Sequence, residues 1–209
     1  MQRLTKMCPI VAGAAVALSV LWVGVPNGWA QTQTQQQAAA ATSTAPDREA
    51  LIRSALSAAP PTLRDTVKVM DFDGNVLRDG PAGFTCLPAP PKLAGPMCLD
   101  EVWMGWMDAW AKRQPFTPSR VGLAYMMAGD SRDGGASNTE PFDAQPTADN
   151  DWMVEGPHVM LLLPDPAMLA TIPAAHHSGG PYVMWKGTPY AHVMIPVGER
   201  PAQRRVVAR

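Results

Sequence analysis

Proline and glycine punctuate this 209-residue chain so often that it has little room for long regular elements: it carries 22 prolines and 17 glycines. Proline removes a backbone donor and glycine favours turn geometry, so the fold must be assembled from short pieces joined by many turns, not from a helical bundle.

The order of those pieces follows from hydrophobic periodicity. Asp47 and Glu49 open a short helix with an apolar stripe of Leu51, Ile52, Ala55 and Leu56, and Pro60-Pro61 stop it. Val67, Val69 and Phe72 lead into Asp73-Gly74, and Val76-Leu77 lead out, the pattern of a β-hairpin; Phe84-Thr85-Cys86 continues as a strand. Asp71, Asp73 and Asn75 lack the spacing and distal glutamate of a calcium loop and are explained by turn chemistry. From Leu99 to Gln114, Leu99, Val102, Trp103, Trp106, Met107 and Trp110 recur at steps of three and four, which predicts a helix with three indoles along one face. Such a stripe suits a ligand pocket, but each indole has a large area to bury, and core packing is the reading adopted. Strands are expected at Val121–Met127, Pro157–Leu163, Pro181–Lys186 and Tyr190–Val197, with a short helix opened by Asp165-Pro166. Residues 129–151 form a polar loop too long to be a simple connection. The sum is an α+β fold: a mainly antiparallel sheet packed with one Trp-rich helix and short additional helices.

The first thirty residues read as an address. Arg3 and Lys6 precede an apolar run from Ile10 to Val25, and Gly28-Trp29-Ala30 offers small residues before a cut after Ala30. This is the layout of a secretory signal peptide, which predicts a periplasmic or secreted protein with no stable membrane span after processing. Residues 31–46 read as a disordered linker, 47–198 as a single domain, and 199–209 as a flexible tail whose Arg200, Arg204, Arg205 and Arg209 are solvated. Of 17 basic and 18 acidic residues, the leader removes two basic ones, so the expected mature balance of −3 excludes a nucleic-acid footprint. Cys8 leaves with the leader. Cys86 and Cys98 then have only each other, and in an oxidising compartment they are expected to form a disulfide. Their spacing is far from that of a redox or metal pair.

Gly83-Phe84-Thr85-Cys86, Pro96-Met97-Cys98-Leu99-Asp100, Glu155-Gly156-Pro157-His158-Val159-Met160 and the run from Met184 to Met194 resemble a family of uncharacterised exported bacterial proteins. The resemblance spans residues 83–197. It implies an exported domain and assigns no catalytic residue.

No Gly-x-Ser-x-Gly elbow, phosphate loop or dinucleotide fingerprint is present. The residues left to carry function are Trp152, His158, Trp185, Lys186, Tyr190 and His192, apolar bodies with polar tips, which fit a site for a small-molecule ligand. His-Val-Met occurs twice, at His158-Val159-Met160 and His192-Val193-Met194. Alternation along a strand would put each imidazole beside its thioether, a donor set suited to copper, Cu(I) in particular. A secreted hydrolase using His158 or His192 is the catalytic alternative. Ser137 as nucleophile, or Asp149, Asp151 and Glu155 as paired carboxylates, would be its other parts. A small-ligand-binding or envelope-associated role without catalysis is the leading expectation; the cofactor is left open.

Overall fold

A computed structural model describes residues 45–90 and 94–201. The expected signal peptide, most of the expected linker and the basic tail beyond residue 201 lie outside the described residues.

The fold is α+β. Helix α1 (Ala45–Ser57) leads into strands β1 (Lys68–Met70), β2 (Val76–Arg78), β3 (Phe84–Leu87) and β4 (Met97–Asp100); helix α2 (Glu101–Ala111) and strand β5 (Gly122–Met126) follow. Then come β6 (Ala136–Ser137), β7 (Trp152–Met153), β8 (His158–Leu162), 3-10 turns at Pro166–Leu169 and His176–Ser178, β9 (Tyr182–Met184) and β10 (His192–Pro196). Eight strands form one sheet in the order β2-β1-β3-β4-β5-β8-β10-β9, with β6 and β7 forming a separate ribbon. Only β1 and β3 run parallel; every other pair is antiparallel. Among the described residues no helix is long and apolar enough to cross a membrane.

Alternation along the strands divides the core between the two faces of the sheet. On one face Val69, Cys86 and Cys98 pack with Ala55 of α1 and with Ala58 just beyond it. On the other, Leu99, Ala124, Met160, Leu162 and Met194 pack with Trp103 and Trp106 of α2. Cys86 and Cys98 are directly opposed across β3 and β4 and form the expected disulfide, closing a sequence separation of 12. Closing a loop of that size stabilises the fold by about 3 kcal/mol on the chain-entropy account.

Three expectations need correction. Leu99 is not on the Trp-rich helix: Met97–Asp100 is a strand paired on both sides, with Leu99 opposite Thr85 and Ala124. The helix starts only at Glu101, where the Asp100 carboxylate accepts the Trp103 amide at 2.9 Å, and it ends at Ala111, short of Gln114. The step from Leu99 to Val102 mimics a helical repeat, but ladder hydrogen bonds on both edges outweigh it. The long polar loop is not wholly irregular, because Ala136 and Ser137 pair with Met153 and Trp152. Arg200 is not a solvated tail residue. Its guanidinium grips Glu155 with two hydrogen bonds of 2.7 and 2.6 Å, so the ordered domain extends through it.

At the end of the sheet that carries Arg200, main chains touch. A Cβ on Gly95 would lie 1.9 Å from the Gly129 carbonyl oxygen, and one on Gly156 would lie 2.2 Å from that of Glu199. Gly129 itself has φ +69°, a conformation that favours glycine.

Candidate functional site

The indole face of α2 lies over the inner face of β5, β8, β10 and β9 without filling the space between them. A cavity of about 330 Å³ remains, walled by Trp103, Trp106 and Trp185 and floored by Met160, Met194 and the two imidazoles of His158 and His192. The long loop closes one side through Ser137, Glu140 and Pro141. Two indoles hold it there: Trp185 Nε1 donates to the Ser137 carbonyl at 2.7 Å, and Trp110 Nε1 donates to that of Pro141 at 3.0 Å. Phe142 adds a ring stacked on Trp110, 6.0 Å between centroids, which continues a parallel series through Trp106 to Trp185. Trp185 reaches its place only with φ 54°, a left-handed conformation that costs a bulky residue about 1–3 kcal/mol.

The strand register decides how the two His-Val-Met segments meet. Met160 and Met194 are direct partners across β8 and β10, while His158 faces Pro196 on one side and Met126 of β5 on the other. His192 faces Met184 of β9. All these side chains project from the same face. His192 lies opposite the Leu162 end of β8, so the two histidines stand four ladder positions apart, at opposite ends of a row with the paired methionines between them.

Each imidazole is oriented in the same way. His158 Nδ1 donates to the carbonyl of Gly156 at 2.7 Å, and His192 Nδ1 to that of Tyr190 at 3.0 Å. A carbonyl only accepts, so Nδ1 carries the proton in both and each Nε2 presents a lone pair. His158 Nε2 is buried with no hydrogen-bond partner, and so are the indole Nε1 atoms of Trp103 and Trp106. The residues around one cavity therefore carry two unmet donors and one unmet acceptor, all buried. Unpartnered buried polar groups are rare because each forfeits about 1–3 kcal/mol of hydration.

Burial amid the rings of Trp103, Trp106 and Trp185 pushes His192 down to about 4, against an ordinary 6.5. The neutral form is thus built into the fold. Above pH 6.5 folded and unfolded chains are equally unprotonated at this site. Between pH 6.5 and 4 only the unfolded chain takes up the proton, so stability declines across that window by about 3 kcal/mol. An NMR titration of the ring is expected to show no protonation of His192 at pH 5.5; a midpoint near 6.5 would contradict this.

A polar cluster borders the cavity at the His158 end. Glu155, 1% exposed, receives Arg200 and also the Tyr182 hydroxyl at 2.8 Å. Burial alone would raise its carboxyl, but these hydrogen bonds and the guanidinium charge prevail and hold it below the ordinary range. Asp130 accepts the Glu155 amide at 2.7 Å; burial raises its carboxyl against the opposing influence of His158. Arg200 also donates to His176 Nδ1 at 3.1 Å, and His176 Nε2 donates to Asp151.

His158, Met160, Trp185, His192 and Met194 are thus gathered around one cavity. Trp152, Lys186 and Tyr190 lie elsewhere. Trp152 donates its indole N–H to Gly134, Lys186 donates to the carbonyl of Ile172 beside a second hollow, and Tyr190 packs edge-on to Trp106 and Phe142. Ser137 Oγ caps its own turn by accepting the amides of Thr139 and Glu140. Asp151 and Glu155 are engaged separately, by His176 and by Arg200. Among the described residues no group of three His, Cys, Asp or Glu side chains is placed to hold a metal. Residues not singled out from the sequence are Met126, opposite His158, and Asp130; only the Met-rich composition hinted at the first. Comparison with known proteins finds no matching family model, no matching curated protein and no matching solved structure.

Proposed function

We propose that this chain is an exported binding protein, kin to the uncharacterised exported bacterial proteins it resembles, which holds a small guest in the cavity beneath α2. The observation that carries this reading is the set of three unpartnered polar atoms, Trp103 Nε1, Trp106 Nε1 and His158 Nε2, buried on residues that wall one apolar space. A guest whose polar group accepts twice and donates once, as a hydroxyl can, on an apolar body would satisfy them. The volume of 330 Å³ suits it, being roughly twice the 150 Å³ or so that admits benzene. The strained Trp185 wall supports the same view, since local strain gathers where a site needs it. Export is supported by the Cys86–Cys98 disulfide and the leader-like first thirty residues. Hydrolysis through His158 or His192 lacks support: neither imidazole hydrogen-bonds to a hydroxyl or a carboxylate among the described residues.

Isothermal titration with 2-naphthol against naphthalene tests the reading, because only the first offers a hydroxyl. Saturable one-to-one binding of 2-naphthol is expected, with a negative heat-capacity change, and naphthalene should bind at least about tenfold more weakly. Equal affinity for the two, or dilution heat alone, would sink the proposal.

A further inference from the structure

The cavity has a second property that hydrogen bonding does not use: seven methionines line it. Thioethers fill irregular cores well, and most of the seven need no further explanation. Three of them are different because of where the ladder puts them. Met126 is the direct partner of His158 across β5 and β8, Met160 follows two residues along on the same face, and Met194 is the direct partner of Met160 on β10. One unpartnered imidazole nitrogen, on a residue 1% exposed, is thereby surrounded on its own sheet face by three sulfur-bearing side chains.

We propose that this end of the cavity is a site for a single Cu(I) ion, held by His158 Nε2 and the thioethers of Met126, Met160 and Met194. The proposal rests on the cavity being a binding site and specifies one guest for it. Soft sulfur donors with one imidazole select monovalent copper over zinc, calcium or magnesium, which would require thiolates, more imidazoles or carboxylates. The imidazole needs no rearrangement. The Gly156 carbonyl already holds the proton on Nδ1 and aims Nε2 away, the outer-shell arrangement that orients metal-binding histidines. Asp130 also lines the cavity. His192 lies too far along the strands to share the ion, so the site takes one imidazole and not two.

The test is a competition for Cu(I) between the purified full-length protein, disulfide intact and under anaerobic ascorbate, and a chromophoric Cu(I) chelator. One copper per chain is expected to leave the chelator, with an X-ray absorption spectrum dominated by sulfur neighbours, and a parallel titration with Zn(II) should show no binding. The double change Met160→Leu with Met194→Leu conserves volume and should weaken copper binding by more than about 100-fold. Met126→Leu alone provides a milder check should the double variant melt early, and it is also expected to lower copper affinity. Copper remaining on the chelator while 2-naphthol binds normally would overturn the copper site and leave the binding-protein reading standing. Undiminished copper affinity in both methionine variants, or a nitrogen–oxygen shell in the spectrum, would overturn it as well.

Discussion

Replacing Arg200 with alanine should destabilise the protein by about 3–4 kcal/mol, although the residue stands beyond the last strand. The asymmetry of the pair explains why. Glu155 is almost wholly enclosed, whereas the Arg200 side chain keeps about a quarter of its surface in water, at 25% exposed. Removing glutamate lets the guanidinium turn outward and recover its hydration. Removing arginine strands a carboxylate that cannot reach solvent and keeps only the Tyr182 hydroxyl and its own following amide. For a domain of this size the loss corresponds to roughly 8–14 °C in melting temperature, measurable by calorimetry. Arg200→Lys keeps the charge but not the two-pronged grip, and should fall in between. The pH dependence has a definite sign. Because the folded Glu155 carboxyl sits below its ordinary value of 4.5, the contribution is complete above that pH and disappears as the pH drops through the depressed value. An Arg200→Ala protein that melts like the parent at pH 7 would show that the ion pair adds nothing.

Trp106→Ala is expected to be costlier still, about 4 kcal/mol, and to abolish 2-naphthol binding at the same time. Trp106 is 7% exposed and touches more rings than any other residue described: Trp103, Trp110, Trp185, Tyr190 and His192 all lie with centroids within 6.5 Å of it. Truncation would merge the cavity with the hollow beside Lys186, which Trp106 also lines, and so leave an enlarged void that neighbours cannot close. Chemical denaturation provides the measurement. Lost guest binding with an unchanged midpoint would mean that the ring serves only the ligand, against the packing shown here.

Much of the fold was legible because it is local. Short apolar runs bounded by turn residues marked β5, β8 and β10, Asp165 announced the short turn it caps, and the two cysteines outside the expected leader had only one possible partner each. The site was legible in its parts and not in its assembly. His158, Met160, His192 and Met194 stand out in the sequence, but their meeting depends on β8 and β10 being neighbours, a pairing set by the whole sheet order. Met126 escaped notice for the same reason: it faces His158 only because β5 flanks β8 on the other side. Leu99 misled because apolar spacing near a strand–helix junction satisfies both periods at once. Lys186 and Tyr190 were grouped with the site by chain proximity, whereas the tight turn through Thr188 sends their side chains elsewhere, and Trp152 turns its indole to the Gly134 carbonyl. Arg200 was misjudged because a basic residue near the end of a chain carries no mark of the buried acid it meets.

The touching main chains at Gly95, Gly129 and Gly156 have a consequence for how such a protein can diversify. With no room for even a methyl group, that rim is closed to evolutionary drift, and Asp130, Glu155 and Arg200 inherit fixed positions from it. Another side of the cavity is closed by Ser137, Glu140 and Pro141 of the long loop, and loops accept exchange more readily than the elements they connect. Descendants of this architecture are therefore free to change which guest they admit while keeping the anchoring corner that receives it.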